Sequence, residues 1–216
     1  MDNVDRGLES KRRTATLLFE TLIDGILDEG YGIADNFLTS EEVAALAKRL
    51  RERRKAGQFR GAGVGNQQKT IENTIRGDEI MWLDASTETP EEAAFSSRID
   101  EFIQYVNQTC YLGLQESEFH YALYPTGTFY KRHLDQFRSD SRRKLSVICY
   151  LNTEWQATDG GQLALYIPNS TDGIERQITV EPTGGRLVCF ESGRLEHEVL
   201  PAIRERLSVT GWLKTG

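Results

Sequence analysis

The chain has 216 residues, 38% of them hydrophobic and 27% charged, with a net charge of −7, which is a globular composition long enough for one well-cored domain. The acidic balance excludes a general grip on nucleic acid, because phosphate neutralisation needs a surplus of Lys and Arg on one face. No stretch approaches the roughly 20 apolar residues that span a bilayer, and the amino terminus has no apolar leader core, so a cytosolic protein without membrane contact is expected.

Taken in chain order, Leu17, Leu18, Leu22, Ile23, Ile26 and Leu27 recur at helical spacing between Thr14 and Glu29, and Gly30 suits the C-cap. Tyr31 to Phe37 reads as a short strand. Thr39 stands three residues before Glu42, the spacing of a capping box, and opens a helix to about Lys55. The basic run from Arg49 to Lys55 at its end suits a helix C-terminus and a solvated face. Residues 56–70 carry four glycines and no periodicity, so a mobile loop is expected, extending as a lid to about residue 82. Its GAGVG neither follows a clear strand nor opens a helix, which sets a dinucleotide site aside.

A third helix is predicted from Pro90 to Leu112 on the spacing of Phe95, Ile99, Phe102, Ile103 and Val106. From there the period changes to two. Segments near 118–124, 128–135, 145–151, 162–167, 176–180, 186–190 and 206–213 are short, β-branched or aromatic, and separated by Gly, Asp, Asn or Pro. The expected fold is α+β, mainly β: a jelly-roll core, the double-stranded β-helix, over residues 116–216, with N-terminal helices packed outside. Residues 1–115 supply the helical support and the mobile loop 56–82, and the whole of 1–216 forms a single domain. Cys110, Cys149 and Cys189 are too widely spaced for a disulfide framework or a CxxC site and read as reduced core thiols.

Within the strand region His133 and Asp135 are two apart, so in extended backbone they project from one face and can hold one ion. His197 is the candidate third ligand. Two imidazoles and a carboxylate with open positions are the donor set of non-haem Fe(II) oxygenases; zinc is the competing metal, and an HxD pair alone arises by chance. Arg206 narrows the choice. Alternation along its strand puts Arg206, Ser208, Thr210 and Trp212 on one face and Leu207 and Val209 on the other. A guanidinium inside a barrel needs an anion, and the distal carboxylate of 2-oxoglutarate suits it. On the same alternation Ser146, Ile148 and Tyr150 share a face, giving an apolar wall and a phenol that can donate to the same carboxylate.

These features, with Arg76-Gly-Asp78-Glu-Ile-Met-Trp82, Tyr124-Pro125, Tyr130-x-x-His-x-Asp135, Tyr150-Leu-Asn152, Gly160-Gly161 and His197-Glu-Val-x-Pro-Ala202, resemble the prolyl hydroxylases that act on hypoxia-inducible factor and their bacterial counterparts. The resemblance implies that His133, Asp135 and His197 bind iron and that Arg206, a catalytic-site residue with them, anchors 2-oxoglutarate together with Tyr150. It implies that Tyr124, Ile148, Leu163 and Thr210 line the cosubstrate pocket. It further implies that Asp78 and Arg143 pair to link the mobile loop to the barrel, and that Tyr130, Arg143 and Trp212 flank a peptide groove. By composition alone Tyr130 and Trp212 read equally as core aromatics, Asp78 and Arg143 as surface charges, and His120 as a structural histidine.

The activity implied is hydroxylation of a prolyl residue in a protein substrate, with O2 consumed, 2-oxoglutarate converted to succinate and CO2, and ascorbate as reductant. The implied partner carries its proline in an exposed loop, and in the bacterial branch it is a translation factor of the elongation factor Tu kind. The competing functions are oxygenation of a free amino acid or other small molecule, and a silent barrel used for binding. A monomer is expected. Relative to the animal enzymes, the spacing from Tyr124 to His133 is one residue shorter and the loop after Asp135 one longer, and no counterpart of their C-terminal helix is expected after Trp212.

Overall fold

The computed structural model describes residues 3–63, 75–136, 140–168 and 173–216. Helix α1 spans Asn3–Glu29, longer than the predicted segment, and ends at Gly30 with φ +83° and its N–H donating to the Ile26 carbonyl at 2.9 Å. Phe19, Leu22 and Ile23 are buried, whereas Leu17 and Leu27 are exposed; they lie off the packed stripe that the periodicity assigned them to. Strand β1, Tyr31–Ala34, lies so close under α1 that a Cβ on Gly32 would stand 2.2 Å from the Leu22 carbonyl oxygen.

Helix α2, Ser40–Lys55, opens on the predicted capping box: the Thr39 N–H donates to Glu42 at 2.8 Å and the Glu42 N–H to Thr39 Oγ1 at 3.3 Å. Its basic end is not only a solvated face. Arg53 donates to the buried Glu92 at 2.6 and 2.8 Å, and Arg54 grips Glu79 bidentately at 2.8 and 2.9 Å, tying α2 to the elements beyond it. Those elements include two that the sequence concealed inside the expected loop, β2 (Arg60–Gly61) and β3 (Glu79–Trp82). The loop therefore gives way to ordered sheet by Glu79, with Asp78 and Ile80 already buried. The rest of the expected lid, residues 64–74, lies outside the described residues.

Helix α3 runs Pro90–Cys110 and stops two residues before the predicted end, because Tyr111 turns into the left-handed region at φ 56°. The strands follow as β4 (Leu114–Tyr124), β5 (Tyr130–His133), β6 (Arg143–Tyr150), β7 (Leu163–Ile167), β8 (Arg176–Val180), β9 (Leu187–Glu191), β10 (Glu196–Val199) and β11 (Arg206–Thr215). Strand β10 went unpredicted: two glutamates in four residues give weak β propensity.

Two antiparallel sheets result, ordered β1-β9-β6-β11-β4-β3-β2 and β5-β10-β7-β8, which is the expected jelly roll. Alternation sends each strand's apolar residues to different cores. Leu207, Val209 and Leu213 of β11 join Phe19, Leu46, Phe95 and Phe102 of the helices in one cluster. Ile148, Tyr150, Val188 and Phe190 meet Leu163, Leu165 and Val180 of the smaller sheet in a second. The helices thus cover the outer face of the large sheet and leave its inner face to the space between the sheets. Cys149 and Cys189 are wholly buried free thiols, as expected, and Cys110 is free and half-buried. Among the described residues, no helix is long and apolar enough to cross a membrane.

Candidate active site

Register across the smaller sheet places His133 of β5 directly opposite His197 of β10, and the chain leaving β5 brings Asp135 back between them. The Asp135 carboxylate lies 3.5 Å from each imidazole Nε2, and one ligand atom from each of the three falls within 4.8 Å of the others. Both Nδ1 atoms face backbone carbonyls, that of His133 reaching Lys131 at 2.7 Å and that of His197 reaching Leu195 at 3.4 Å. A carbonyl only accepts, so each Nδ1 carries the proton and each Nε2 presents a lone pair to the centre. Ser146 Oγ donates to Asp135 Oδ2 at 2.7 Å and meets Ser192 Oγ at 2.9 Å, fixing the carboxylate from behind.

Burial, reinforced by His133, pushes His197 down to about 4. Burial pushes the Asp135 carboxyl upward, but the adjacent His197 and His133 and the Ser146 hydroxyl outweigh it and hold the group well below the usual carboxylate range. A neutral imidazole beside an ionised carboxylate is the state in which both can donate to a cation.

A cavity of about 430 Å³ opens on this trio and reaches Arg206. Arg206 is 1% exposed; its Nε donates to the Gly161 carbonyl at 2.9 Å, while among the described residues its Nη2 has no hydrogen-bond partner, and neither does the wholly buried hydroxyl of Tyr150. The guanidinium carbon lies 5.0 Å from the ring centroids of both Tyr124 and Tyr150. Tyr124, Ile148 and Thr210 line the cavity. Leu163 does not reach it and packs behind in the core between the sheets, as does the ring of Tyr150.

At the mouth, the expected pairing of Asp78 with Arg143 is replaced by others. Asp78 is gripped by Arg76 at 2.6 and 2.7 Å, two residues away on the same strand edge. Arg143 donates to Glu118 at 2.8 and 3.1 Å and to the Asp135 carbonyl at 3.2 Å, with its guanidinium 3.5 Å over the ring of Trp212. A nearer partner satisfies each charge. Tyr130 and Trp212 both line the cavity. His120 also sits in its wall, packed against Trp82 at 4.8 Å, and burial pushes it down to about 4; the cluster of candidate ligand atoms among the described residues does not include it.

Sequence reasoning missed the work of Ser146, Ser192 and Gly161. At Gly161 a Cβ would stand 2.9 Å from the Ala202 Cβ and 3.2 Å from the Arg206 Cδ, so its absence lets the Gly161 carbonyl approach the guanidinium. The alternation that grouped Ser146 with Ile148 and Tyr150 was the available signal for Ser146.

Residues 119–214 match the family described as the 2OG-Fe(II) oxygenase superfamily. A solved prolyl-4-hydroxylase of Pseudomonas putida is 41% identical with a TM-score of 0.80, the match covering 92% of this chain and 99% of that one. A prolyl hydroxylase of Trichoplax adhaerens, solved with a fragment of hypoxia-inducible factor, is 29% identical with a TM-score of 0.82 over 94% and 92% of the two chains. The hypoxia-inducible factor prolyl hydroxylase of Caenorhabditis elegans is 32% identical over 89% of this chain, which spans only 28% of that relative's length.

Proposed function

The chain belongs to the prolyl-hydroxylase group of the 2OG-Fe(II) oxygenase superfamily, and from that premise we propose that it hydroxylates a prolyl residue in a protein substrate at the cavity between its sheets. The family uses Fe(II) and 2-oxoglutarate with O2. The observation that carries the reading is one cavity with three preset donors at one end and Arg206 at the other, where Arg206 Nη2 and the hydroxyl of Tyr150 behind it are buried without a hydrogen-bond partner among the described residues.

Both groups fit. His133 Nε2, Asp135 and His197 Nε2 would hold the iron, their number and softness suiting Fe(II) with positions left open. Arg206 and Tyr150 would take the far carboxylate of 2-oxoglutarate, since one anion can accept from both a guanidinium N–H and a phenol O–H that otherwise lack acceptors. When bound, iron and 2-oxoglutarate would supply the chemistry by which O2 is the oxidant, one of its oxygen atoms going to the product and the other to succinate as CO2 is released, with ascorbate keeping the metal reduced. The protein's own part is positional. Gly161 aims the guanidinium, Ser146 fixes the Asp135 carboxylate, and Tyr124, Ile148 and Thr210 shape the passage between the two ends, with Leu163 backing it.

Tyr130, Arg143 and Trp212 stand at the mouth, where a peptide would lie, and Asp78 acts there through Arg76. The peptide held by the Trichoplax relative supports a protein over a free amino acid. Residues 1–216 work as one domain, because β1 and β3 of the amino-terminal part are strands of the same sheet as β4 and β11. Incubating the chain with Fe(II), 2-oxoglutarate, O2 and ascorbate against proline-containing peptides, elongation factor Tu and free amino acids tests the substrate. A peptide or protein should gain one oxygen atom for each succinate formed; oxidation of a free amino acid alone overturns the reading.

A further inference from the structure

His133 is held from two directions by a short segment that neither the metal nor the cosubstrate needs to touch. The first route runs through backbone. His133 Nδ1 donates to the Lys131 carbonyl at 2.7 Å, the Lys131 N–H donates to the Ile75 carbonyl at 2.9 Å, and the Gly77 N–H donates to the Phe129 carbonyl at 3.0 Å. Arg76 stands opposite Tyr130 in an antiparallel bridge. Residues 75–77 therefore add a strand-like edge to β5 just before entering β3, joining the edge of the smaller sheet to the larger one. A Cβ on Gly77 would stand 2.8 Å from the Thr128 Cβ, so the close approach requires glycine.

The second route runs through rings. Tyr130 stacks on His133 with centroids 3.6 Å apart and planes at 18°, and the Arg76 guanidinium lies 4.1 Å from the Tyr130 centroid. One face of the phenol is taken by His133, so Arg76 covers the other. Arg76 is itself fixed at every nitrogen, by Asp78 at 2.6 and 2.7 Å and by the Gly63 carbonyl at 3.3 Å. An imidazole with its Nδ1 tied to a carbonyl still rocks about that bond; a stacked ring clamped by a buried ion pair stops the rocking.

We propose that Ile75–Asp78 is a clasp that presets the orientation of His133 for its metal, with Arg76 and Tyr130 as positioning residues that set metal affinity. The inference rests on the reading of His133 as a ligand. Partners outside the ligand set alter metal affinity by about 10–100-fold, which places the expected effect. It also gives Tyr130 a task independent of any substrate at the mouth.

The test is an anaerobic titration of the full chain with Co(II) against a competing chelator, reading dissociation constant and visible absorption, with the melting temperature of each metal-free variant alongside. Tyr130→Phe keeps the stack and should bind within about twofold of the unsubstituted chain. Tyr130→Leu removes it and should bind about tenfold more weakly with a changed spectrum. Arg76→Lys keeps a charge for Asp78 but loses the planar cover and should fall between the two; it serves alone if Tyr130→Leu does not fold. Unchanged Co(II) affinity and spectrum in the folded Leu and Lys variants overturns the clasp, even where melting temperature falls, and so does a Phe variant as weak as the Leu one. Unchanged binding in His133→Ala instead overturns the ligand assignment beneath it.

Discussion

The two ends of the cavity differ in how far the protein satisfies its own polar groups. Around His133, Asp135 and His197 each Nδ1 has a backbone carbonyl and the carboxylate has Ser146, so what remains open is the inward set of donor atoms. Around Arg206, a guanidinium nitrogen and the Tyr150 hydroxyl are buried without a hydrogen-bond partner among the described residues. An unsatisfied buried group costs about 1–3 kcal/mol. On the proposed reading, one end is therefore finished before its ion arrives, and the other is finished only by its ligand. The first arrangement favours fixed geometry; the second makes the chain's stability respond to the cosubstrate.

Substitutions break this contrast in a graded way. His197→Ala removes a proposed ligand and should abolish succinate formation while weakening Co(II) binding by more than about 100-fold, the upper bound for merely indirect effects. Arg206→Met removes a charged donor worth about 1.5–3 kcal/mol, so 2-oxoglutarate measured by anaerobic calorimetry should bind about 10–150-fold more weakly. Its ligand-free melting temperature should hold or rise, because the buried charge and its unsatisfied Nη2 go with it and outweigh the lost Nε bond to the Gly161 carbonyl. A large drop in melting temperature with 2-oxoglutarate affinity intact would mean that Arg206 is structural. Ser146→Ala frees the Asp135 carboxylate and should weaken the metal about tenfold without altering 2-oxoglutarate binding to the metal-saturated protein. Tyr150→Phe loses one neutral donor, about 1 kcal/mol, and should weaken 2-oxoglutarate about fivefold with metal affinity unchanged.

The same contrast explains what was legible in the sequence. The period of two along β11 separated Arg206 and Thr210 from Leu207 and Val209, and the structure sends the first pair to the cavity and the second to the helical core. The spacing of His133 and Asp135 likewise put two donors on one face. Local rules carry such information because they concern neighbours in the chain. Partners distant in sequence were hidden. Glu92 lies 39 residues from Arg53, so the basic run read as solvated, and the support of Arg206 by Gly161 spans 45 residues. Asp78 was assigned to a distant arginine when Arg76, two residues off, already satisfied it. Strand β10 carries His197 between two glutamates, and pairing with β5 and β7 on either side overrides a weak local preference.

The most direct test of the two-ended cavity is an anaerobic crystal structure with a divalent metal and 2-oxoglutarate. The account predicts the metal on His133 Nε2, Asp135 and His197 Nε2, with the far carboxylate of 2-oxoglutarate accepting hydrogen bonds from Arg206 and Tyr150. A metal held by other residues, or a 2-oxoglutarate that leaves Arg206 and Tyr150 without partners, would contradict it.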